Sequence, residues 1–414
     1  MPGPGLYFIG SEELNEVTEV LTSRELSRYR FNGSGTESVS KVYQFERECE
    51  STLNVQHCLA LNSCTSALLA GLSALGIGPG DEVIVPGYTF IASIAAVAYA
   101  RAVPVLAEID ESLTLDPRDV EAKIGPRTKA ILAVHMLGAP CKLDELKSIA
   151  RRHNLFLIED VAQACGASYK GAALGTIGDF GAFSLNIFKT ITAGDGGMLT
   201  TNTTRVYERA FAFHDHGAKP FRQGVLDDGS LLGLNFRMNE LVGAVALAQI
   251  RKLQKIVATL QYKKKVFKEL LSQLGGLQFR AENDPDGDCG TVLALLFDSR
   301  KRAEAIAEAL GSKTLLQSGK HYYGNMVQLL NKNMPAAEGC PFRCPHFSTD
   351  ITYSKQMLPR TDDILSRAVC LSIGVSDSYL GTDFGINVLD DEDAIRQKAR
   401  EFDHRTAHLR TQPL

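Results

Sequence analysis

One lysine of this 414-residue sequence, Lys189, stands in a segment that is otherwise small-polar or apolar, SLNIFKTITAGDGGMLTT. The Gly-Asp-Gly-Gly turn and the strand-like GMLTT behind it predict a tight loop that enters a sheet. A surface lysine at the edge of this loop is the simplest interpretation. A lysine buried there would be unfavourable unless it were paired, neutral or covalently bonded, so the alternative is a lysine with a chemical role.

Two further groups of polar residues follow apolar strand candidates. Asp160, with Gln163 one turn further on, follows LFLI, and a run of small residues that begins at Ser63 follows CLALN. Ligand sites in α/β sheets lie at the carboxyl ends of the strands, so these residues and Lys189 could meet at one site. Each group also has a structural alternative, because an aspartate or a serine in this place can simply cap the next helix.

Together, the three groups match the needs of pyridoxal 5'-phosphate. A lysine forms a Schiff base with the aldehyde of this cofactor, and an ionised aspartate holds the proton on its pyridine nitrogen. The free N–H groups and hydroxyls at a helix start bind a phosphate. Each group is a weak signal by itself, whereas the set predicts a cofactor site.

Composition and charge narrow the class of protein. Hydrophobic residues make up 44% of the chain and charged residues 22%, and the net charge is -4. These values are typical of a globular protein without a basic surface, so we expect no nucleic-acid or membrane partner. No signal peptide is recognisable, which predicts a cytoplasmic protein. Pro86-Gly87 interrupts the uncharged stretch 83–100, which predicts strand, turn and buried helix rather than a membrane span.

The nine cysteines are scattered, which indicates reduced thiols rather than a disulfide framework. The tightest cluster, CPFRCPH, contains Cys340, Cys344 and His346. Its spacing fits no common zinc motif, and the histidines of HDHG lack a third ligand by spacing. We therefore expect no metal.

The elements that must position the polar residues follow the order of an α/β protein. From about residue 55, strand candidates such as CLALN, DEVIV, VPVLA, KAILAV and LFLIED alternate with helical patterns, which predicts a largely parallel sheet flanked by helices. A long helical pattern begins at NELVGAV, and TVLALLF with RKRAEAIAEALG predicts a smaller C-terminal α/β domain. We place the boundary on the long helix, with a large domain over residues 1–255 and a small one over 256–414.

Four segments carry a resemblance to a known family: NSCTSALLAGLSALGIGPGDEVIVPGYTFIAS, VHMLGAPCKLDEL, IEDVAQACGASYKGAALGTIGDFGAFSLNIFKTITAGDGGMLTTN and GLNFRMNELVGAVALAQIRKL. From about residue 42 to 253, the sequence resembles the DegT/DnrJ/EryC1/StrS family of sugar aminotransferases. The resemblance implies a pyridoxal phosphate enzyme of fold type I. It also implies a homodimer with its active sites at the subunit interface.

The resemblance implies roles for residues at matching positions. Lys189 is the implied Schiff-base lysine, and Asp160 is the implied partner of the pyridine nitrogen. Gln163 would lie near the ring oxygen of the cofactor, and Phe90 would stack on its ring. The implied phosphate ligands are Ser63, Thr65, Ser66 and Ser184 of one subunit and Asn235 of its neighbour.

The implied activity is transamination in amino-sugar or antibiotic biosynthesis. An amino donor, usually glutamate or glutamine, would give its amine to a keto or aldehydo sugar or a sugar-derived acceptor. Related dehydratases carry histidine in place of Lys189, so the lysine favours transamination. A lyase similar to aminohydroxybenzoate synthases, which keep the lysine, is the alternative. A regulatory protein on this scaffold is disfavoured, because the sequence has no basic stripe or helix-turn-helix.

The C-terminal segments SGKHYYGNMVQLLNK and YSKQMLPRTDDILSR look closest to the branch with 8-amino-3,8-dideoxy-octulosonate aminotransferase, whose acceptor is a sugar acid. His321 and Tyr322 in the first segment are candidate substrate contacts. Arg28 and Arg30, in SRYRFNG, are either contacts for a substrate anion or solvated loop charges. The sequence assigns no role to GVSDSYLGTDFGIN or to the TIT that follows Lys189.

Overall fold

The computed structural model of the protein describes residues 3–29, 40–220, 231–336, 338–345 and 351–411. The strands are β1 (His57–Leu61), β2 (Glu82–Pro86), β3 (Val103–Ala107), β4 (Thr128–Val134), β5 (Phe156–Asp160), β6 (Ser168–Tyr169), β7 (Ala172–Ala173), β8 (Phe180–Ser184), β9 (Gly197–Thr201), β10 (Gln278–Phe279), β11 (Val292–Leu296) and β12 (Ala368–Ser372). The helices are α1 (Ser11–Ser23), α2 (Lys41–Leu53), α3 (Cys64–Ala74), α4 (Ile91–Tyr99), α5 (Pro117–Ala122), α6 (Leu143–His153), α7 (Thr204–His214), α8 (Glu240–Ser272), α9 (Arg300–Ala309), α10 (Leu315–Ser318), α11 (Val327–Leu330), α12 (Pro359–Arg367) and α13 (Glu392–Thr411).

A seven-stranded sheet lies at the centre of the large domain, with the strand order β1-β9-β8-β5-β4-β2-β3. The strands β3, β2, β4, β5 and β8 run parallel. Strand β9 is antiparallel to both of its neighbours, β8 and β1. The predicted largely parallel sheet is confirmed. Since parallel strands end at the same edge of a sheet, the residues that follow β1, β5 and β8 come together there.

Helices cover both faces of this sheet. Helices α3, α4 and α7 bury apolar side chains such as Leu68, Ile94 and Phe211 on one face. Helices α2 and α8 bury Phe45 and Ile250 on the other face. The strands between them are buried on both sides, which explains why their sequences are almost continuously apolar.

A three-stranded antiparallel sheet, in the order β10-β11-β12, forms the centre of the C-terminal part. The 33-residue helix α8 leads into it from the large domain, and it packs against α2, β11 and α13. The helix begins at Glu240, since Asn239 Oδ1 accepts a hydrogen bond from Val242 N at 3.0 Å. The boundary predicted near residue 255 falls within α8 and stays a prediction.

Two further expectations concern single segments. The stretch 83–100 folds as most of β2, a turn and α4, and no helix of the described chain is long and apolar enough to cross a membrane. The expectation of reduced thiols is wrong for Cys340 and Cys344, which form a disulfide. Backbone hydrogen bonds between Gly339 and Arg343 close the turn and bring the two Cα atoms within 4.2 Å. His346 lies outside the described residues.

Candidate active site

A cavity of about 590 Å³ lies between the carboxyl edge of the large sheet and loops of the C-terminal part. Its volume is in the range of small-molecule sites, roughly 300–1,000 Å³. Residues that the sequence analysis took from distant segments line it together. They are Ser63, Thr65, Phe90, Asp160, Gln163, Ser184, Lys189 and His321.

Lys189 lies in the loop after β8, partly buried, and lines this cavity. Burial lowers the pKa of Lys189 below its ordinary value, whereas Cys64, Asp160 and Asp377 nearby oppose the shift. A lysine with a lowered pKa is more often neutral, and the neutral amine is the form that acts as a nucleophile or a base. The environment of Lys189 therefore differs from that of a lysine at a solvated loop edge.

The loop that carries Lys189 is closed by its own hydrogen bonds. Thr192 Oγ1 donates to Leu185 O at 3.0 Å, and Asn186 Nδ2 donates to Asp195 Oδ1 at 2.9 Å. Ile191, between the two threonines of TIT, is fully buried in the core. The segment without a predicted role thus folds and anchors the lysine loop.

The N-terminal segment packs directly on this loop. Gly3 N donates to Ile187 O at 2.8 Å. A Cβ atom on Gly3 would lie 2.3 Å from the carbonyl carbon of Phe188, so only glycine allows the two main chains to approach this closely. The first described residues therefore form one side of the support for Lys189.

A buried glutamine of α8 is hydrogen-bonded to the same loop. Gln249 Oε1 accepts from Thr192 N at 3.2 Å, and Gln249 Nε2 donates to Glu13 Oε1 at 2.8 Å. Both Gln249 and Glu13 are buried, and Lys252 Nζ donates to both carboxylate oxygens of Glu13. Sequence analysis missed this chain of contacts, although a lone glutamine in the apolar pattern VALAQI was a signal for it.

Asp160 ends β5 and is 4% exposed. Its Oδ2 accepts from Ser93 Oγ at 2.7 Å, and its Oδ1 accepts from Ala162 N at 3.0 Å. Two donors stabilise the ionised form of a buried carboxyl group. Ser93 is a second missed residue, and its hydroxyl in the apolar pattern IASIAAVAYA was the available signal.

The start of α3 also lines the sheet side of the cavity. Ser63 Oγ caps the helix by accepting from Ser66 N at 3.0 Å, and Ser66 Oγ donates to Asn62 Oδ1 at 2.6 Å. The helix has no carbonyl partners for the N–H groups of Cys64 and Thr65, which are its first two residues. Thr65 lines the cavity and Ser66 does not, so the hydroxyl of Ser66 serves the capping network instead of the cavity.

Strand β9 passes directly beside this helix start. A Cβ atom on Gly197 would lie 2.4 Å from Cys64 N, which any side chain would displace. The preceding Gly196 has φ of +144°, a conformation that glycine adopts readily. Gly197 is thus required for the close approach of β9 to α3.

The C-terminal wall of the cavity contains residues to which the sequence analysis gave no role. They belong to the segment GVSDSYLG and to the residue before His321. His321 Nδ1 lies 3.2 Å from Tyr379 O, and the His321 ring is 5.5 Å from the Phe90 ring between centroids. The residues that line this wall are Lys320, His321, Val375, Ser376, Asp377, Ser378, Tyr379 and Leu380.

Arg28 is buried and not solvated. Its side chain is 4% exposed and forms an ion pair with the fully buried Glu46. The guanidinium also lies 5.1 Å from the ring centroid of Tyr29 and 5.7 Å from that of Phe211. The solvated alternative is therefore wrong, and Arg28 does not line the cavity of its own chain. Arg30 lies outside the described residues.

Two other predicted contacts also lie apart from the cavity. Tyr322 is 7% exposed and packs edge-on against Tyr323, with 4.8 Å between ring centroids. Tyr322 belongs to the hydrophobic core and does not line the cavity. Asn235 is exposed in this chain and accepts from Arg237 N at 3.3 Å. Its predicted contact is with a neighbouring subunit, so that role stays a prediction.

The arrangement fits pyridoxal phosphate in three respects. A lysine with a lowered pKa, an aspartate held by two hydrogen-bond donors and a helix start with two unused N–H groups line one cavity. The lysine suits the aldehyde of this cofactor, and the aspartate suits its protonated ring nitrogen. The N–H groups of the helix start suit its phosphate. In the described chain, no group of three or more His, Cys, Asp or Glu side chains could hold a metal ion.

A family model agrees with this chemistry. The model of the DegT/DnrJ/EryC1/StrS aminotransferase family matches residues 8–377. The chain belongs to this family.

Curated proteins are similar to the chain over part of their length. GDP-perosamine synthase of Caulobacter vibrioides is 40% identical over 235 residues, 56% of this chain and 62% of the relative. L-glutamine:2-deoxy-scyllo-inosose aminotransferase of Streptoalloteichus tenebrarius is 37% identical over 272 residues, 63% of each chain. The matches thus span about three fifths of the length of these relatives.

Solved structures are similar to nearly the whole chain. That of 3-amino-5-hydroxybenzoic acid synthase has a TM-score of 0.76 and 26% identity, and the match covers 97% of both chains. GDP-4-keto-6-deoxy-D-mannose-3-dehydratase of Escherichia coli, with bound hydrated pyridoxal phosphate, has a TM-score of 0.74 over 95% of this chain and 97% of that one. At 19% identity, the second likeness shows the fold alone.

The family, the fold of type I and the pyridoxal phosphate and aminotransferase character of the family are confirmed predictions. The resemblance to the octulosonate branch stays a prediction. The roles of the individual site residues and the cytoplasmic location also stay predictions.

Proposed function

We propose that this chain is a pyridoxal-phosphate-dependent aminotransferase that acts on a keto or aldehydo sugar or a sugar-derived ketone. The observation that carries the proposal is the juxtaposition of Lys189, Asp160 and the start of α3 in one cavity. A lysine in this position favours transamination, because an amine is needed there both to hold the cofactor and to move a proton.

Lys189 is the proposed catalytic residue. Because burial lowers its pKa, more of its Nζ is neutral near neutral pH than in a solvated lysine. The neutral amine is the form that would bind the cofactor covalently. Once free, Nζ would take the proton from the α-carbon of the amino donor and deliver it to the C4′ carbon of the cofactor. The contacts of Thr192 and Gly3 with the loop limit the positions that Nζ adopts.

Pyridoxal phosphate supplies, when bound, an electron-accepting ring that stabilises negative charge next to the amine. Asp160 holds the ring nitrogen in its protonated form, since its fixed negative charge is oriented by Ser93 and Ala162. The N–H groups at the start of α3 bind the phosphate with the aid of the helix dipole. Phe90, 45% exposed into this region, excludes water from one ring face.

The relatives support a sugar or cyclitol ketone as acceptor. The names of the similar curated proteins specify GDP-perosamine in one case and 2-deoxy-scyllo-inosose, with glutamine as donor, in the other. We propose glutamate or glutamine as the donor for this chain as well. A sugar acid of the octulosonate type stays a candidate acceptor on the resemblance of the C-terminal segments alone.

A lyase similar to 3-amino-5-hydroxybenzoic acid synthase is the second candidate. Its support is the likeness of that structure over 97% of both chains. The two activities differ in the use of an amino donor, because only a transaminase converts its cofactor to the amine form.

We also propose a homodimer with the active site at the interface. Ile187 and Phe188, beside Lys189, are 38% and 42% exposed, and Leu234, beside Asn235, is 50% exposed. Apolar side chains exposed around a site suit burial by a second copy. Light scattering of the purified holoprotein measures its molecular mass and so tests whether it is a dimer.

Covalent fixation of the cofactor tests the function. The wild-type holoprotein should be yellow, borohydride should attach the cofactor to the peptide with Lys189, and L-glutamate or L-glutamine should shift its absorbance to that of the amine form. Lys189→Ala should lose fixation and at least about 1,000-fold of turnover, since it removes a covalent catalyst. Lys313→Ala, an exposed lysine outside the cavity, is the matched control.

The outcomes separate the candidates. A colourless protein that takes up no pyridoxal phosphate would refute both enzyme functions. Fixation at Lys189 without any spectral response to either amino donor would favour the lyase.

A further inference from the structure

The C-terminal wall of the cavity contains a cation that the proposed mechanism does not use. Lys320 lines the cavity, and its Nζ lies 3.5 Å from the ring centroid of Tyr379. No carboxylate within the described ranges forms an ion pair with it. An aromatic face contacts an ammonium group from one side, so the N–H donors on its other sides remain available to a ligand.

His321, beside Lys320, adds a neutral polar group to the same wall. Burial, together with the charges of Lys189 and Lys320, lowers the pKa of His321 to about 4, although the hydrogen bond with Tyr379 O opposes the shift. The neutral ring donates from Nδ1 to Tyr379 O at 3.2 Å, because a carbonyl oxygen can only accept. Nε2 is then an acceptor, suited to a hydroxyl of a polyhydroxylated ligand.

The carboxylate of this wall has a structural task. Asp377 Oδ1 accepts from Tyr379 N at 2.9 Å and caps the turn that carries Tyr379. Asp377 also contributes to the field at Lys189. Among the residues that line this wall, Lys320 is therefore the cation available to an incoming anion.

We propose that Lys320 binds an anionic group of the substrate, either a carboxylate or a phosphate. The proposal rests on the proposed function, because a transaminase binds its amino donor and its acceptor in turn at one site. Glutamate and glutamine carry a carboxylate, and a nucleotide sugar carries a diphosphate. Both sources present charged oxygens to which an ammonium donates charge-assisted hydrogen bonds.

Titration calorimetry of the holoprotein tests this without turnover. The probes are 2-oxoglutarate, a dicarboxylate that does not react with the aldehyde form of the cofactor, and GDP. Lys320→Met should weaken the binding of at least one probe by fivefold or more, and Lys320→Arg should keep it within threefold. A loss of affinity for 2-oxoglutarate would show that Lys320 binds the carboxylate of the donor. A loss of affinity for GDP would show that it binds a diphosphate.

Lys313→Met, which removes an exposed lysine of the same region outside the cavity, should leave both affinities unchanged. The absorbance of the bound cofactor and the thermal midpoint should be equal in all variants, since Lys320 supports neither. Binding of neither probe to the wild type, or binding of both to Lys320→Met within fivefold of the wild type, overturns the proposal. The proposed function fails separately, by lack of cofactor fixation at Lys189.

Discussion

The two walls of the cavity are built in different ways. On the sheet side, Asp160 ends β5 and Lys189 follows β8, and the parallel pairing of these two strands brings the residues to the same edge of the sheet. On the C-terminal side, Lys320 and Tyr379 lie on loops that the bond from His321 to Tyr379 O joins. The sheet side carries the groups that we propose to hold the cofactor. The C-terminal side carries the groups that we propose to contact the substrate, and it consists of loops, whose side chains vary more between related proteins than those of strands and helices.

The largest expected effect comes from the sheet side. Asp160→Asn keeps the shape of the side chain and removes its charge, so the ring nitrogen loses the partner that keeps it protonated. We expect turnover to fall roughly 100- to 1,000-fold, as for the loss of one oriented electrostatic group. Half-reaction kinetics with L-glutamate measure this.

Ser93→Ala is the matched control for Asp160. It removes one hydrogen bond to Oδ2 and leaves the carboxylate and its second donor in place. We expect a loss of less than about tenfold, consistent with about 1 kcal/mol for one such bond. Equal losses in the two variants would show that orientation, and not charge, is the function of Asp160.

On the C-terminal side, we expect an effect of His321 on the pH dependence of stability. Its pKa in the folded chain, about 4, lies below the unfolded value of about 6.5. The unfolded chain therefore takes up the proton first, and stability that is present above pH 6.5 falls as the pH drops towards 4. The slope amounts to about 1.4 kcal/mol per pH unit, or about 3 kcal/mol over the window.

His321→Asn should remove this part of the slope. Urea unfolding of the wild type and the variant at four pH values between 4.5 and 7.5 measures the difference. His404→Asn, an exposed histidine on α13, should leave the slope unchanged. A wild-type slope that survives in His321→Asn would mean that His321 titrates normally, with its wall open to water.

The smallest effect concerns the support of the lysine loop. Gln249→Leu leaves Thr192 N and Glu13 Oε1 without their buried partner. We expect the free energy of unfolding to fall by about 1–3 kcal/mol, as for an unsatisfied buried group. The exposed Gln254 of the same helix gives the control Gln254→Leu, with a change below about 0.5 kcal/mol. Equal changes in the two variants would show that Gln249 does not support the loop that carries Lys189.

The sheet side of the cavity was predictable from the sequence, because its polar residues stand at the ends of strands and helices that the apolar pattern of the sequence predicts. An apolar strand followed by a carboxylate predicts Asp160, and a capping pattern predicts Ser63 at the start of α3. The cavity holds both as expected. The hydroxyl of Ser66 differs, since its bond to Asn62 depends on the conformation of the loop before the helix.

The C-terminal side was not predictable in the same way. Lys320 and Tyr379 lie on loops that are far apart in the chain, and no repeating pattern in the sequence predicts their contact.

The burial of Arg28 also depends on tertiary structure, because Glu46 on α2 neutralises its charge in the core. A charged residue in a polar segment gives no sign of such a partner.

Helix α8 has a mechanical consequence for access to the site. At 1.5 Å per residue, its 33 residues form a rod of about 50 Å that contacts α2 of the N-terminal part and α13 of the C-terminal part. Because this helix is continuous, we expect it to resist a hinge between the two parts. We therefore expect the cavity to open through local motions of the loops at its C-terminal rim, which occur on the nanosecond to microsecond scale, rather than through the slower motions of whole domains.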